Sequence, residues 1–379
     1  MLIFLPLLIA CKTTTVPKPD ETATKLETVE LAQDLADQSM ATWQPEKLAF
    51  GWIESVFAFG LHRLYDTSEA TTYHDYYRHW MEDELADFSN NDPKEFNSSD
   101  SMSPAILAST AMSEDSSLDF TLVTDAAHAY LEVVPRTSQG AIAHWGQDNF
   151  WGNTHQVWVD SQFMFGVFLL KEYERTGKQE HLDLFVEQYL LFSQLCRDEK
   201  TQLYRHAYDD EIDENIPTEA VFWARGNSWV LISAAEYLLV TDSPDNQVQS
   251  LFVAHAEAIA ALQHPEDGLW RTVLNDPISG DPANYTETSA SALIAYALVR
   301  GMQSNTLDTS LVASVDAAIS GLEERIDEDT DAWVLSGTSF GTNPGDYDYY
   351  VTVPQMDNLM LGLGAAIMLL AEADGLEIP

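Results

Sequence analysis

The sequence has few basic residues and few cysteines. Lysine and arginine total 18 against 61 aspartates and glutamates, so the net charge is −43 at pH 7. No basic patch suited to a nucleic acid or an anionic membrane is visible. The only cysteines are Cys11 and Cys196, too few for a zinc site built on cysteines. We therefore expect no nucleic-acid partner.

The acidic runs also lack the spacing of a calcium-binding loop. Residues 208–214 and 323–331 are rich in aspartate and glutamate but have no glycine at the sixth position. We interpret both runs as solvated loop faces and predict no metal and no cofactor. The excess of acid suits the solvated surface of a protein from a salty medium.

The chain has no apolar run at its start that could cross a bilayer. The run at residues 2–10 is short, whereas a spanning helix needs about 20 apolar residues. Its length suits the core of a signal peptide. Residues 8–11 resemble the bacterial lipoprotein box, in which Cys11 would be lipidated and leave Cys196 without a disulfide partner. We predict a signal peptide at 1–11, a flexible tether at 12–24, and an exported lipoprotein, periplasmic or attached to the outer membrane, that meets the membrane only through this lipid anchor.

Apolar residues recur at helical spacing along the rest of the chain, as Phe50, Ile53, Phe57 and Leu61 illustrate. Strand-like alternation is rare and short. About twelve helices are predicted, near 25–41, 50–64, 71–88, 103–113, 118–133, 157–176, 180–196, 219–240, 246–263, 287–302, 312–326 and 359–370. Helix pairs that repeat about every fifty residues suggest a toroid or solenoid. Since no linker interrupts it, we read 25–379 as one all-α domain.

Asp160 stands at the start of a predicted helix that can be buried almost all round. A carboxylate there costs several kcal/mol unless it is paired, hydrogen-bonded or protonated. The simpler explanation is that Asp160 caps the helix N-terminus. Trp158, two residues earlier, favours a functional interpretation, because a tryptophan beside a carboxyl group is a common floor for a sugar ring.

Three further residues in long connections are candidates for a site. Asp100 lies on a loop before a helix, where it could also be a cap or a turn residue. His206 could equally be a solvent-facing loop histidine. Arg225 stands between Trp223 and Trp229, and a guanidinium fork beside tryptophan faces suits a carboxylate on a sugar. In a ring of helices, loops at one end would form a shared cleft.

Several of these segments together resemble glycoside hydrolase family 105, the unsaturated rhamnogalacturonyl hydrolases, and more distantly the unsaturated glucuronyl hydrolases of family 88. The most specific string is Phe-Trp-Ala-Arg-Gly-Asn-Ser-Trp at 222–229, following Trp-x-Asp at 158–160. Supporting strings are 50–56, Glu-x-Ser at 287–289 and 357–365. The resemblance runs from about Trp43 to Asp374.

This resemblance implies an (α/α)6 barrel and an unusual hydrolysis. The substrate would be an oligosaccharide left by a polysaccharide lyase, with a 4,5-unsaturated uronic acid at its non-reducing end. The enzyme would hydrate the C4=C5 vinyl ether. By similarity, Asp160 is the proton donor and then the base that activates water, and Asp100 is the second family aspartate. The reaction needs a protonated acid near neutral pH, and partial burial beside Trp158 and the like charge of Asp100 would both favour the protonated form of Asp160.

The resemblance also implies a set of sugar contacts, at Trp52, His144, Trp158, His206, Arg225 and Trp229. Either Arg225 or His206 would hold the uronate carboxylate. The stretch from Trp145 to His155 is longer than the family pattern, so His155 could take the role given to His144. The polysaccharide itself is open, with ulvan and pectin-derived rhamnogalacturonan both fitting.

Two rival interpretations remain at this point. The first is another enzyme on the same barrel, a lyase, a conventional glycosidase or an epimerase. A conventional glycosidase needs two carboxyls, which Asp100 and Asp160 could supply, whereas an epimerase would rest on paired histidines. A non-catalytic glycan-binding lipoprotein would keep the aromatic residues but would not need Asp160.

Overall fold

A computed structural model describes residues 24–90, 96–146, 155–327 and 333–378. The predicted signal peptide and Cys11 lie outside these residues, as does the tether except for Thr24, which pairs with Ile378. None of the described helices is long and apolar enough to cross a membrane.

Helices make up most of the described chain. The twelve longer ones are α1 (Val29–Thr42), α2 (Trp52–Ser68), α3 (Thr71–Asn90), α5 (Pro104–Glu114), α6 (Thr121–Val133), α7 (Ser161–Thr176), α8 (Gln179–Cys196), α9 (Ala224–Val240), α10 (Asn246–Ala260), α11 (Thr288–Gln303), α12 (Val312–Glu323) and α14 (Met360–Ala373). Two have a single turn, α4 (Ser99–Met102) and α13 (Tyr347–Tyr350).

Short strands connect the ends of the helices. They are β1 (Thr24–Lys25), β2 (Gln156–Trp158), β3 (Ala207–Asp209), β4 (Glu214–Ile216), β5 (Ile326–Asp327), β6 (Val334–Leu335), β7 (Thr338–Ser339), β8 (Gln355–Met356) and β9 (Glu377–Ile378). All pair antiparallel, and β2, β3 and β4 form a three-stranded sheet in that order.

Six helices close into an inner ring. Packed neighbours follow the order α2, α5, α7, α9, α11 and α14, and α14 returns to α2. The other long helices, α1, α3, α6, α8, α10 and α12, pack outside this ring against inner helices next to them in sequence. This arrangement is the expected (α/α)6 barrel.

The inner and outer helices differ in how much of their surface is buried. Every residue of inner helix α14 is buried, whereas α10 of the outer ring buries one face. Where α2 crosses α14, Gly60 and Gly364 face each other, and a Cβ on Gly60 would lie 2.6 Å from the Gly364 carbonyl oxygen. Glycine is therefore required at this crossing for the backbones to come so close.

The inner helices all begin at the same end of the barrel. The hydroxyls of Ser103 and Ser55 meet there across α5 and α2, and Arg225 of α9 approaches Glu287 at the start of α11. The long connections, including the β2–β3–β4 sheet, lie at this end. Since a helix N-terminus carries partial positive charge, six of them here favour an anionic ligand.

Several predicted helices begin a few residues later than expected. The helix predicted from 25 starts at Val29, and the one predicted from 118 starts at Thr121. The helix predicted from 157 starts at Ser161, because Gln156–Trp158 form strand β2 and pair with Ala207–Asp209. The helix predicted from 219 starts at Ala224. β-Branched and aromatic side chains favour strands, and the partner strand that decides the outcome lies about fifty residues away.

Candidate active site

The centre of the candidate site is a cluster of three rings, those of His144, Trp158 and His206. The His144 ring lies flat on Trp158, with centroids 4.0 Å apart and an interplanar angle of 5°. His206 meets Trp158 edge-on, with centroids 5.7 Å apart. Strand pairing between β2 and β3 places Trp158 opposite Ala207, next to His206. The sheet therefore brings together residues that the sequence separates widely.

Asp160 follows this sheet at the first turn of α7. It occupies the N-cap position, yet its side chain accepts no capping hydrogen bond. By contrast, Asp245 accepts from two backbone N–H groups at the start of α10. The Asp160 side chain instead points its Oδ2 at His206 Nε2, 3.1 Å away. The capping explanation for Asp160 is therefore wrong.

Asp100 supplies the second carboxyl near Trp158 and faces His144. Ser98 caps the short helix α4, so Asp100, two residues later, is not a cap either. Its Oδ2 is 3.9 Å from His144 Nε2. Each aspartate thus faces one histidine, and the two carboxyls are close enough for the charge of Asp160 to act on Asp100.

Burial and charge determine the protonation of this group. Burial first, and then the negative charge of Asp160, raise the pKa of Asp100 to about 8. Part of the Asp100 side chain nevertheless remains accessible, about 30% of its area. It sits deep in a cleft that is open to water. Near neutral pH the carboxyl pair therefore retains one proton, and in the unliganded protein Asp100 holds it.

His144 is neutral in this environment. It is fully buried, and burial lowers the pKa of His144 to about 3. Its Nδ1 lies 2.8 Å from the Ser99 hydroxyl, which is itself 2.8 Å from the Ser161 hydroxyl. His144 supports Trp158 and Asp100 from behind, and its buried ring leaves little surface for a sugar.

Arg225 does not reach into the cleft. Its side chain is 1% exposed, and its guanidinium carbon lies over the Trp223 ring, 4.8 Å from the ring centroid. Its Nη1 donates to the Ser339 carbonyl at 3.0 Å and its Nη2 to the Phe340 carbonyl at 2.7 Å, with Thr342 Oγ1 at 3.1 Å. These bonds anchor the segment after β7. Direct binding of a uronate carboxylate would require them to break.

The remaining predicted sugar contacts separate into two groups. Trp229 is 1% exposed and packs against Phe163 in the barrel core, so its ring does not line the cleft. Trp52 is half-buried at the first residue of α2 and lies near Gly341 of the segment that Arg225 anchors. Of the two, only Trp52 remains available at the cleft rim.

His155 does not replace His144. Its Nδ1 lies 3.2 Å from Glu211 at the surface, and 41% of its side chain is exposed. Residues 147–154, the rest of the inserted stretch, lie outside the described residues. The position beside Asp100 therefore belongs to His144.

The sequence argument missed Tyr350 and the part played by Trp223. The Trp223 ring stacks on His206 at 4.2 Å between centroids, and Tyr350 Oη lies 3.0 Å from His206 Nδ1. Trp223 belongs to the recognised motif, but Tyr350 comes from a long connection with no pattern of its own. Its only sequence signal is the run of tyrosines at 347, 349 and 350.

Two further groups of side chains have a geometry that could hold a cation. They are His62, Asp66 and Glu114, and His128, Glu172 and His181. Both carry carboxylates already paired with arginine, Arg63 with Asp66 and Arg175 with Glu172. They lie near the helix ends away from Asp160 and do not contribute to the cleft.

The arrangement can perform acid–base chemistry on an anionic sugar. It offers the carboxyl of Asp100, whose raised pKa keeps it protonated near neutral pH, the neighbouring carboxyl of Asp160 and a tryptophan wall. Its construction favours an enzyme over a passive glycan-binding surface, because binding alone does not require two neighbouring acids of which one has a strongly raised pKa.

Comparison with known proteins agrees with this geometry. Residues 25–376 match the family described as Glycosyl Hydrolase Family 88. The unsaturated rhamnogalacturonyl hydrolase YesR of Bacillus subtilis (strain 168) is 26% identical over 326 residues, 86% of this chain and 89% of that protein. An unsaturated 3S-rhamnoglycuronyl hydrolase of Formosa agariphila is 31% identical over 162 residues, 40% of this chain and 41% of that protein.

A solved structure shows the same fold. The family 105 glycoside hydrolase of C. acetobutylicum ATCC 824 superposes with a TM-score of 0.80 at 22% identity, covering 90% of this chain and 98% of that chain. The barrel and the family match together account for nearly the whole described chain. This protein belongs to glycosyl hydrolase family 88.

Proposed function

We propose that the protein removes the 4,5-unsaturated uronic acid from the non-reducing end of oligosaccharides released by polysaccharide lyases. The observation that carries the proposal is the coupled pair Asp100 and Asp160, which retains one proton near neutral pH beside the Trp158 wall. The names of the relatives, unsaturated rhamnogalacturonyl and rhamnoglycuronyl hydrolases, support the same chemistry.

The reaction uses the proton of this pair and one water. An acid donates a proton to C4, the C4=C5 π electrons form the new C–H bond, and positive charge develops at C5 and the ring oxygen. Water adds to C5 and gives its proton to the carboxylate. The C5 hemiketal opens to a ketone, and the hemiacetal left at C1 releases the leaving sugar as an alcohol. The acid is regenerated.

Asp160 is proposed as the proton donor and then the base. It lies at the N-terminus of α7 with one oxygen buried against His206, which leaves Oδ1 as the oxygen able to meet the substrate. Asp100 holds the pair's proton before substrate binds and is proposed as its reservoir. The carboxylate of the uronate adds a further negative charge nearby, which favours the protonated form of an acid beside it.

The test uses the ultraviolet absorbance of the conjugated double bond. Incubation with unsaturated oligosaccharides should remove that absorbance at the rate at which the leaving sugar appears. A conventional glycosidase would release the unsaturated sugar with its absorbance intact, and a lyase would increase the absorbance. An unchanged absorbance across a panel of unsaturated uronides would contradict the proposal.

The polysaccharide is proposed to be of rhamnogalacturonan or ulvan type. Relatives named for rhamnogalacturonyl and for 3S-rhamnoglycuronyl substrates both match this chain, and rhamnose is the sugar common to the two names. Lyase products that differ only in the penultimate sugar would separate the two. The preferred substrate should show the higher kcat/KM.

We also propose that the protein is exported and anchored through a lipid on Cys11. The support is the short apolar run before Cys11 and its likeness to a lipoprotein box. In a bacterial host, labelled palmitate should be incorporated into the wild type and not into Cys11→Ser. Equal labelling of both would contradict the anchor.

A further inference from the structure

Tyr350 lies directly behind the histidine that faces Asp160. It ends the one-turn helix α13, and its side chain is fully buried. Its Oη is 3.0 Å from His206 Nδ1 and accepts a hydrogen bond from the Gly345 backbone N–H at 3.1 Å. The Trp223 and Tyr350 rings are parallel within 6°, and His206 stacks on both.

The protons in this chain can be placed by counting donors and acceptors. A tyrosine hydroxyl has one proton, and the Gly345 contact is an N–H, so that proton cannot go there. The only acceptor bonded to Tyr350 Oη among the described residues is His206 Nδ1. Burial raises the pKa of Tyr350 well above its ordinary value, so the hydroxyl keeps its proton throughout the working range.

A hydrogen bond accepted at His206 Nδ1 determines which ring nitrogen carries the proton. If Nδ1 accepts, the proton of neutral His206 must be on Nε2. His206 Nε2 lies 3.1 Å from Asp160 Oδ2, and neither atom makes a hydrogen bond with any other atom of the described residues, so this ion-pair contact is the one polar neighbour that each has. The opposite tautomer would place two lone pairs face to face in a buried site.

We propose that Tyr350 is a positioning residue that holds His206 as the Nε2–H tautomer and thereby aims an N–H at Asp160 Oδ2. Its consequence for catalysis rests on the proposed function, in which Asp160 gives up a proton and later takes one from water. The N–H stabilises the carboxylate that forms and keeps Oδ1 turned to the substrate. The tautomer itself is a property of the resting protein.

The tautomer can be read without any assay of activity. With 15N-labelled histidine, long-range proton–nitrogen correlation spectra separate protonated from unprotonated ring nitrogens. His206→Gln identifies the His206 signals by their disappearance. In the wild type we expect an unprotonated Nδ1 and a protonated Nε2. A protonated Nδ1 in the wild type would overturn the proposal, even if no Tyr350 variant folds.

Tyr350→Phe removes the hydroxyl and keeps the ring. We expect the His206 Nδ1 resonance to shift as this nitrogen loses its donor, and kcat to fall about tenfold with KM within about twofold, the size of effect of one hydrogen bond. The matched control is Tyr347→Phe, three residues earlier in α13, whose hydroxyl bonds Asp281 at 3.0 Å. The control should keep the wild-type His206 spectrum and kcat.

The outcomes separate this proposal from the function on which it rests. An unchanged His206 spectrum in Tyr350→Phe would overturn the positioning role. If the wild type has the expected tautomer but hydrates no unsaturated uronide, the proposed function fails and the assignment of the hydrogen bond stands. A larger KM with unchanged kcat in Tyr350→Phe would also contradict the role, because it would indicate a binding effect.

Discussion

The two ends of the barrel both bury acidic side chains, but they neutralise them differently. We call the end of the barrel opposite the cleft the closed end. There Glu236 accepts hydrogen bonds from Tyr296 and Arg300, and Glu372 accepts one from Arg63 at 2.6 Å. At the cleft end, Asp100 and Asp160 face histidines and each other, and no arginine or lysine pairs with either among the described residues.

The pKa values of the two ends move in opposite directions as a result. Burial alone would raise the pKa of Glu236, but the charges of Arg300 and Arg63 lower it well below its ordinary range. The pKa of Asp100 is raised by burial and by Asp160 together. A fully paired network stabilises a fold, whereas acids left without cations are available for proton transfer.

The largest expected effect is that of Asp160→Asn on catalysis. Removing the proposed donor and base should lower kcat by about 10³-fold or more, near the upper range for general acid–base groups. The unfolding temperature should change little, because the Asp160 carboxylate caps no helix. Initial rates of double-bond loss and thermal unfolding measure the two quantities.

The matched control is Asp245→Asn. Asp245 also precedes a helix, but its side chain does cap it, and asparagine caps equally well. We expect wild-type rates from this variant. Full activity in Asp160→Asn would remove the distinction between the two ends.

The second effect is on stability at the closed end. Glu236→Gln leaves Arg300 and Arg63 with one buried carboxylate fewer, and should reduce the free energy of unfolding by about 3–5 kcal/mol. The exposed Glu257 on outer helix α10 provides the same substitution as a control, expected within about 0.5 kcal/mol. Denaturant unfolding measures both.

The rate per folded molecule should stay at the wild-type value in Glu236→Gln. A loss of kcat in this variant with stability intact would mean that the closed-end network takes part in catalysis.

The third prediction concerns Arg225, a cation near the cleft that is used structurally. Arg225→Lys keeps the charge but cannot bridge the Ser339 and Phe340 carbonyls, so unfolding should become easier by about 2 kcal/mol. Arg78→Lys, at a half-buried arginine on outer helix α3, is the control for the substitution itself. A large rise in KM with unchanged stability would instead support a direct clamp on the substrate carboxylate.

The smallest effect is the dependence of stability on pH. The raised pKa of Asp100 means that its contribution is present below pH 3.8 and is lost as pH rises toward about 8. Relative to Asp100→Asn, the wild type should therefore lose about 1–2 kcal/mol of unfolding free energy across that window, because solvent screens the partly exposed carboxyl.

Glu172 at the closed end should show the reverse slope. Burial would raise its pKa, but hydrogen bonds from His128, Arg175 and Ser109 lower it to about 2. Its contribution is present above pH 4.5 and is lost as pH falls toward about 2. Denaturant unfolding of Asp100→Asn and Glu172→Gln across pH checks both signs. Equal slopes would contradict the comparison of the two ends.

Sequence reasoning predicted the barrel well because each helix carries its own period. The predicted 71–88 and 180–196 match the observed α3, Thr71–Asn90, and α8, Gln179–Cys196, within about two residues. The prediction was weaker for elements whose formation depends on residues distant in the sequence. Strand β2 depends on β3, and the one-turn helix α13 depends on Asp346 at its cap.

The sequence indicated which residues lie together around the two acids, but it was less accurate about how the neighbouring side chains are oriented. Asp160, Asp100, His144 and Trp158 do lie together, as the motifs indicated. A motif does not reveal which face of a helix its residues take. Within one motif Trp223 faces His206 and Trp229 faces the core, a difference set by helical rotation and packing.

The most direct test of the central claim follows the proton to carbon. The reaction is run in heavy water, stopped early, and the released sugar is analysed by mass spectrometry and NMR, with product incubated in heavy water without enzyme as the control for exchange. Hydration through the Asp160 pair predicts one deuterium on C4 and loss of the double bond at the same rate. A released sugar that keeps its double bond and carries no deuterium on carbon would contradict the account.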